Sequence, residues 1–329
     1  MKGLPYLNPV AGEPAETYFD RTIANLRSAL LEHPEDELHL RQQILIYMHV
    51  QGNVDETIGF ALELMEMDVD KIYAFDCFHV LARMYAKKND TVNTIEYYQK
   101  ANAVDPTCCE PIIELAAFYE KQLNYDAAIA VYDYLNNEHF KYMKEDMYRD
   151  KGLCYYNKKE YEKALECFQA ALEIHGDDKN EQLNTNIGGC YFSMKDFTAA
   201  FSHFGKALET NPQSAEAHYG LGLCYQHTDD GYRAMHHYFE AIKLKPDYMD
   251  AYNNIAAVTI NQEGDYKSGI EMLKKAIDNC PDKKSMTIVY VNLSRAYNQL
   301  CEFTLADYYK AEYMKNLGFD VSFEDDEDD

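Results

Sequence analysis

The chain has 329 residues, of which 47% are hydrophobic, enough to bury a core and to exclude global disorder. A formal net charge of −25 argues against nucleic acid or an anionic membrane surface as the main partner, because phosphate binding needs clustered Lys and Arg. With only 9 Pro and 15 Gly, a turn-rich all-β fold is disfavoured as well.

Residues 1–14 are expected to form an N-terminal arm, either disordered or laid along the body, with Leu4, Tyr6, Leu7 and Val10 set between prolines. Pro5, Asn8 and Pro9 break the apolar core a secretory signal would need. The longest apolar run, Ala127 to Tyr132, is far short of the ~20 residues of a membrane span. A cytoplasmic location without membrane insertion is therefore expected. Nine cysteines, an odd number with no CxxC pair, fit reduced thiols better than a disulfide framework or a zinc ribbon. A lone helix is predicted over 15–34, with Ile23, Leu26, Ala29 and Leu30 at helical spacing and Pro34 closing it. It reads as the second helix of an incomplete unit.

From there the sequence repeats itself. Ile44-Leu45, Met48 and Gly52-Asn53 open a degenerate unit at about 38–74. Phe78, Leu81-Ala82, Tyr85, Tyr98, Ala101 and Pro106 fill the next, and Ile112, Leu115-Ala116, Tyr119, Ala128 and Tyr132 the one after. Tyr148, Gly152, Tyr155, Ala164, Phe168 and Ala171 follow, then Ile187-Gly188, Tyr191, Ala200, Phe204, Ala207 and Pro212. Two more units carry Leu221-Gly222, Tyr225, Ala234, Tyr238, Ala241 and Pro246, then Tyr252, Ile255-Ala256, Gly269, Leu273, Ala276 and Pro281. Tyr290, Leu293-Ser294, Tyr297 and Ala306 mark the last. Gly188 and Gly222 are 34 residues apart, as are Pro212 and Pro246.

These slots resemble the tetratricopeptide repeat family, whose pattern is W-x2-L-G-x2-Y, then A-x3-F, then P. The resemblance implies an all-α solenoid, a right-handed superhelix of antiparallel helix pairs with a concave groove lined by the first helix of each pair. Its expected organisation is the arm at 1–14, a solenoid over 15–317 and an acidic tail over 318–329. Inside the solenoid, repeats are expected at about 75–108, 109–144, 145–180, 181–214, 215–248, 249–283 and 284–317. The small residues let paired helices approach, Tyr155, Tyr191 and Tyr225 fill the gaps between repeats, and the prolines stop the second helices. Extra residues belong in loops near 136–141, 175–179 and 281–285.

The free faces of the first helices give the expected groove. Its candidate binding residues are Arg83, Lys87, Arg149, Leu153, Tyr156, Asn186, Phe192, Tyr219, Leu223, Asn253 and Ile260. His79, Ile113, Lys121, Thr185, Gly189, Gln226, Ala257, Val291 and Arg295 share that face. The apolar and aromatic stretch from Leu153 to Ile260 suits an extended or helical peptide, and Arg83, Lys87 and Arg149 suit its acidic groups. Two readings of Tyr156 and Phe192 stand: partner contact, or packing on a neighbouring second helix. Co-chaperone members of the family hold a C-terminal carboxylate with a Lys, Asn, Asn, Lys, Arg set. Asn186 and Asn254 occupy the Asn slot here, but Glu216, Gly220, Ile288 and Asn292 stand where cations are needed, so that clamp is not expected.

No phosphate loop, GxSxG or HExxH is present, and the repeats occupy nearly the whole chain, so no enzyme activity and no cofactor is expected. His203, His218, His227, His236 and His237 cluster in sequence, but adjacent helical histidines diverge, His218 falls on a packing slot, and partly exposed helix positions are the favoured reading over a metal site. Cys154, Cys190 and Cys224 repeat one slot as small apolar residues, with a redox role as the alternative. Residues 319–329 hold seven acidic and no basic residues. The last helix carries Tyr308, Tyr309, Tyr313, Met314 and Leu317. A Tyr309 or Tyr313 facing outward would make it a homodimer or partner patch. The leading expectation is an interaction scaffold, and the alternative is a subunit that self-associates through its terminal helices.

Overall fold

The computed structural model describes residues 14–135, 142–176, 178–280 and 286–319. Residues 1–13 of the expected arm at 1–14, the loops at 136–141 and 281–285, residue 177 and residues 320–329 of the expected tail at 318–329 lie outside the described residues. Among the described residues there are seventeen α-helices, one short 3-10 turn and no strand. No described helix is long and apolar enough to cross a membrane.

The chain forms two compact units, residues 1–158 and 159–329. The first contains α1 (Ala15–Glu32), α2 (Glu37–Gln51), α3 (Val54–Met67), α4 (Ala74–Lys87), α5 (Thr91–Val104), α6 (Glu110–Lys121), α7 (Tyr125–Leu135) and α8 (Lys144–Asn157). The second contains α9 (Tyr161–His175), α10 (Glu181–Ser193), α11 (Phe197–Thr210), α12 (Ala215–His227), α13 (Gly231–Leu244), α14 (Met249–Glu263), α15 (Tyr266–Asn279), α16 (Thr287–Gln299) and α17 (Phe303–Asn316). Within each unit every helix packs on the next in sequence. Helix α2 also touches α4, and α10 touches α12, so that alternate helices share a layer.

The small residues explain the pairing. Gly188 of α10 faces the Phe204 ring of α11, where an added Cβ would lie 2.8 Å from the ring. Gly222 of α12 faces Tyr238 of α13 in the same way, at 2.5 Å. Ala164, Ala200 and Ala234 are buried on the second helices, and Phe168 and Tyr238 are fully enclosed. A large ring on one helix thus fits a missing side chain on the other, and neither helix can bury its stripe alone.

The turns inside the pairs are equally specified. Asn89, Lys195, Asp229 and Gly264 adopt φ of 56°, 66°, 61° and 67°, and each is followed by an aspartate. Asp90, Asp196, Asp230 and Asp265 accept from the backbone N–H of Asn93, Ala199, Arg233 and Ser268 at 3.0–3.1 Å, capping the second helices. Helices α5, α11 and α13 then end two residues before Pro106, Pro212 and Pro246. In the turn between α6 and α7 the left-handed residue is Leu123, at φ 58° and exposed. A leucine there is strained by its own Cβ, whereas asparagine tolerates the conformation. Leu123→Asn is expected to raise stability by about 0.5–1 kcal/mol. Urea midpoints at constant slope would report the gain, and an unchanged or lower midpoint would contradict the strain.

Candidate functional site

The first helices of each unit are tied to one another by polar side chains, which fixes the face they share. In the first unit Gln42 of α2 donates to Asp76 of α4 at 2.8 Å. Arg83 and His79 of α4 bond Glu114 of α6, His79 at 2.9 Å. In the second unit Ser214, ahead of α12, donates to Glu181 of α10. Asn254 of α14 donates to the Tyr219 hydroxyl of α12 at 3.1 Å. Asn292 of α16 donates to Asn253 of α14 at 2.6 Å.

In the first unit the expected cationic readers are differently occupied. Arg83 is bound to Glu114 and, at 2.8 Å, to Glu110. Arg149 holds Asp146 at 2.6 Å and Asp150 at 2.9 Å. Burial pushes the Asp150 carboxyl up against the pull of Arg149. Lys87, the last residue of α4, is exposed, with Nζ 4.0 Å from where a Cβ on Gly52, just past α2, would sit, and has no carboxylate partner among the described residues. Leu153 and Tyr156 are half-buried on α8.

In the second unit Phe192 lies edge-on to Phe197 and to His227, with ring centroids 5.5 and 5.3 Å away, so it packs on both the paired helix and the next repeat. Tyr219 lies 4.8 Å from Tyr248. Leu223 packs on the core that contains Tyr238 and Ile255. Asn186 buries its Nδ2 with no hydrogen-bond partner among the described residues.

Asn253 and Ile260, by contrast, are brought together. They line a cavity of about 320 Å³ between α14, α15 and α16. Its apolar lining is Ala256, Ala257, Ile260, Leu273, Ala296 and Tyr266; its polar lining is Asn253, Asn261, Asn292, Gln299 and Arg295. Arg295 is exposed and unpaired among the described residues. The Asn292 donation leaves Asn253 Nδ2 as a donor and Asn292 Oδ1 as an acceptor. None of the eleven lining residues is an acid, a histidine, a cysteine or a serine, so the lining offers amides, one guanidinium and the Tyr266 phenol as its polar groups. The groove pattern pointed to Asn253, Ala257, Ile260 and Arg295. It missed Asn261 and Tyr266 at the α14–α15 corner and Gln299 at the end of α16. The position of Gln299, one turn beyond Arg295, was the signal available.

The histidines and cysteines have structural partners. His218 Nε2 lies 3.2 Å from the Pro212 carbonyl, which can only accept, so this nitrogen carries the proton. His218 Nδ1 then accepts from His237 Nδ1–H at 3.0 Å. Burial, helped by His218 and His236, holds His237 down to about 4, so the pair is neutral and joins α12 to α13. Among the described residues no group of three or more His, Cys, Asp or Glu could hold a metal ion. Cys154, Cys190 and Cys224 are buried, and burial pushes the thiols of Cys190 and Cys224 up to about 12, which makes them inert as nucleophiles. On α17, Tyr309 and Tyr313 pack inward and Tyr308 is the exposed ring. The condition set for a patch at Tyr309 or Tyr313 is therefore not met: Tyr309 stacks on Tyr297 at 5.7 Å, and Tyr309 and Tyr313 both pack against the core of the last repeats.

Residues 145–213 and 191–258 match tetratricopeptide repeat models. A tetratricopeptide repeat protein from Parabacteroides merdae ATCC 43184 is similar in structure, with TM-score 0.56 and 17% identity over 74% of this chain and 91% of that one. A chain of the APC/C hetero-tetramer Cut9-Hcn1 gives TM-score 0.53 and 18% identity over 86% of this chain and 52% of that one. At these identities the likeness speaks for the fold. No curated protein matches the sequence.

Proposed function

Because the chain carries tetratricopeptide repeats and folds as an all-α helical-pair solenoid, we propose that it is an interaction scaffold without catalysis of its own. It holds a peptide or a helix of a partner protein on the face made by its first helices. The observation that carries this reading is the α14–α16 cavity, which combines an apolar floor, unpaired amide groups and one unpaired guanidinium on that face. Such a mixture suits a polypeptide, which offers side chains and main-chain polar groups together.

Photo-crosslinking from position 253 of the full chain, followed by mass identification, tests the reading. Proteins captured by the native chain are expected to be lost from Ala257→Lys, which fills and charges the cavity, with the thermal midpoint unchanged. Retention of the same proteins by this folded variant would refute it.

A second reading rests on α17. Leu305 and Tyr308 on it, and Leu317 and Phe319 just after it, are 40–56% exposed, leaving apolar surface at the end of the second unit. Self-association through α17 would cover it. Light scattering is expected to give a dimer that Tyr308→Lys with Leu305→Lys converts to a monomer; a monomeric native chain rejects this reading.

A further inference from the structure

We propose that the α14–α16 cavity recognises an extended partner segment in which a branched or aromatic apolar residue stands beside an aspartate or glutamate. The inference rests on the scaffold reading and names the ligand chemistry of its site. A cavity of about 320 Å³ is at the lower end of ligand-sized pockets and is on the scale of one or two large side chains. The floor is built for such a side chain: Ala256, Ala257 and Ala296 keep it open, and the partly buried Ile260 supplies contact area over the enclosed Leu273. Above the floor, the Asn253–Asn292 pair leaves the Asn253 Nδ2 amide to donate and the Asn292 Oδ1 to accept. That is the complement of a peptide unit, whose C=O accepts and whose N–H donates.

Charge selects the neighbouring residue. In a chain with 56 acidic and 31 basic residues, no carboxylate lines the cavity and Arg295 is its single charged group. Elsewhere on the first helices Arg83 and Arg149 are neutralised by glutamate or aspartate of this chain. Arg295 has no such partner among the described residues, and its planar fork matches a carboxylate through two parallel hydrogen bonds. The ligand's carboxylate replaces the internal one that the other two arginines have. This differs from reading a chain terminus with several cations, since one guanidinium and two amides suffice for a side-chain carboxylate within a chain.

The test uses three synthetic peptides: acetyl-Ser-Asp-Leu-Asp-Ser-amide, its analogue with Asn for both Asp, and its analogue with Gly for Leu. Binding to the full chain is followed by NMR shifts of the Ile260 and Ala257 methyls and the Asn253 and Asn292 side-chain amides. The acidic leucine peptide is expected to bind about tenfold more tightly than either analogue. Arg295→Gln is expected to erase the Asp-over-Asn preference and keep the Leu-over-Gly preference. Ala257→Lys is expected to erase the Leu-over-Gly preference. Equal binding of the Asp and Asn peptides by the native chain, or shifts confined to residues away from α14 and α16, would overturn the proposal. If partner capture still depends on residue 257 in that event, the scaffold reading survives and only this ligand chemistry falls.

Discussion

Replacing Phe204 by alanine is expected to remove about 3–5 kcal/mol from the stability of the second unit. Phe204 of α11 is 4% exposed, and its ring lies between Gly188 of α10 and Gly220 of α12. A Cβ on either glycine would collide with the ring, so both helix backbones are in direct contact with it. Backbone of two helices cannot collapse into the space the ring leaves, and the cavity term is therefore near its upper range. The same ring joins one pair (α10 and α11) to the next (α12 and α13), so the variant weakens an interface between repeats as well as a core. Phe239→Ala on α13 is the control, because Phe239 is 42% exposed. It should cost under about 1 kcal/mol. Urea unfolding compares the two, and hydrogen exchange should accelerate in α10 to α12 for Phe204→Ala alone. Similar losses for both variants would mean that the ring is not clasped as described.

The glycine–aromatic pairing is also what made the fold legible. A ring that needs an empty place opposite it leaves two marks in the sequence at fixed separation, Gly188 with Phe204 and Gly222 with Tyr238, and the same separation recurs in Gly152 with Phe168 and, with alanine for glycine, in Ala82 with Tyr98 and Ala116 with Tyr132. The caps are local in the same way: Asp196 and Asp265 accept from the backbone N–H three residues on. The faces of the first helices could be read as well, and Asn253, Ala257, Ile260 and Arg295 do meet in one cavity. The periodicity gives a face but not a partner. Arg83 and Arg295 occupy the same slot in different repeats, yet the first is held by Glu114, 31 residues away, and the second by none of the described residues. The longer spacing before the last repeat, 38 residues from Ala256 to Ser294, also displaced Asn292 and Gln299 from a simple register. Tyr308 and Tyr309 are neighbours with opposite fates, because the stacking on Tyr297 that turns Tyr309 inward is a tertiary contact.

Glu114→Gln is expected to destabilise the first unit by about 2–3 kcal/mol at pH 7, and the loss should shrink as the solution is acidified. Glu114 sits on α6 where it accepts from Arg83 Nε at 2.8 Å, His79 Nε2 at 2.9 Å and the Tyr98 hydroxyl at 3.1 Å. Burial alone pushes this carboxyl up, but the hydrogen bonds and charge of His79 and Arg83 outweigh it and hold it down to about 2, against 4.5 for an ordinary glutamate. A lowered folded-state value means that the unfolded chain binds the proton more readily. The stabilisation is thus complete above pH 4.5, declines below it, and is gone once the pH has fallen through about 2. Glutamine keeps the size and one acceptor but removes the charge, leaving Arg83 with Glu110 alone at 2.8 Å. The difference in unfolding free energy between native chain and variant should therefore be constant from pH 7 to about 5 and narrow below about 4.5. A difference that does not change with pH would show that Glu114 acts through its shape. That outcome would also release Arg83 from its internal role and return it to the residues available for a partner's acidic groups.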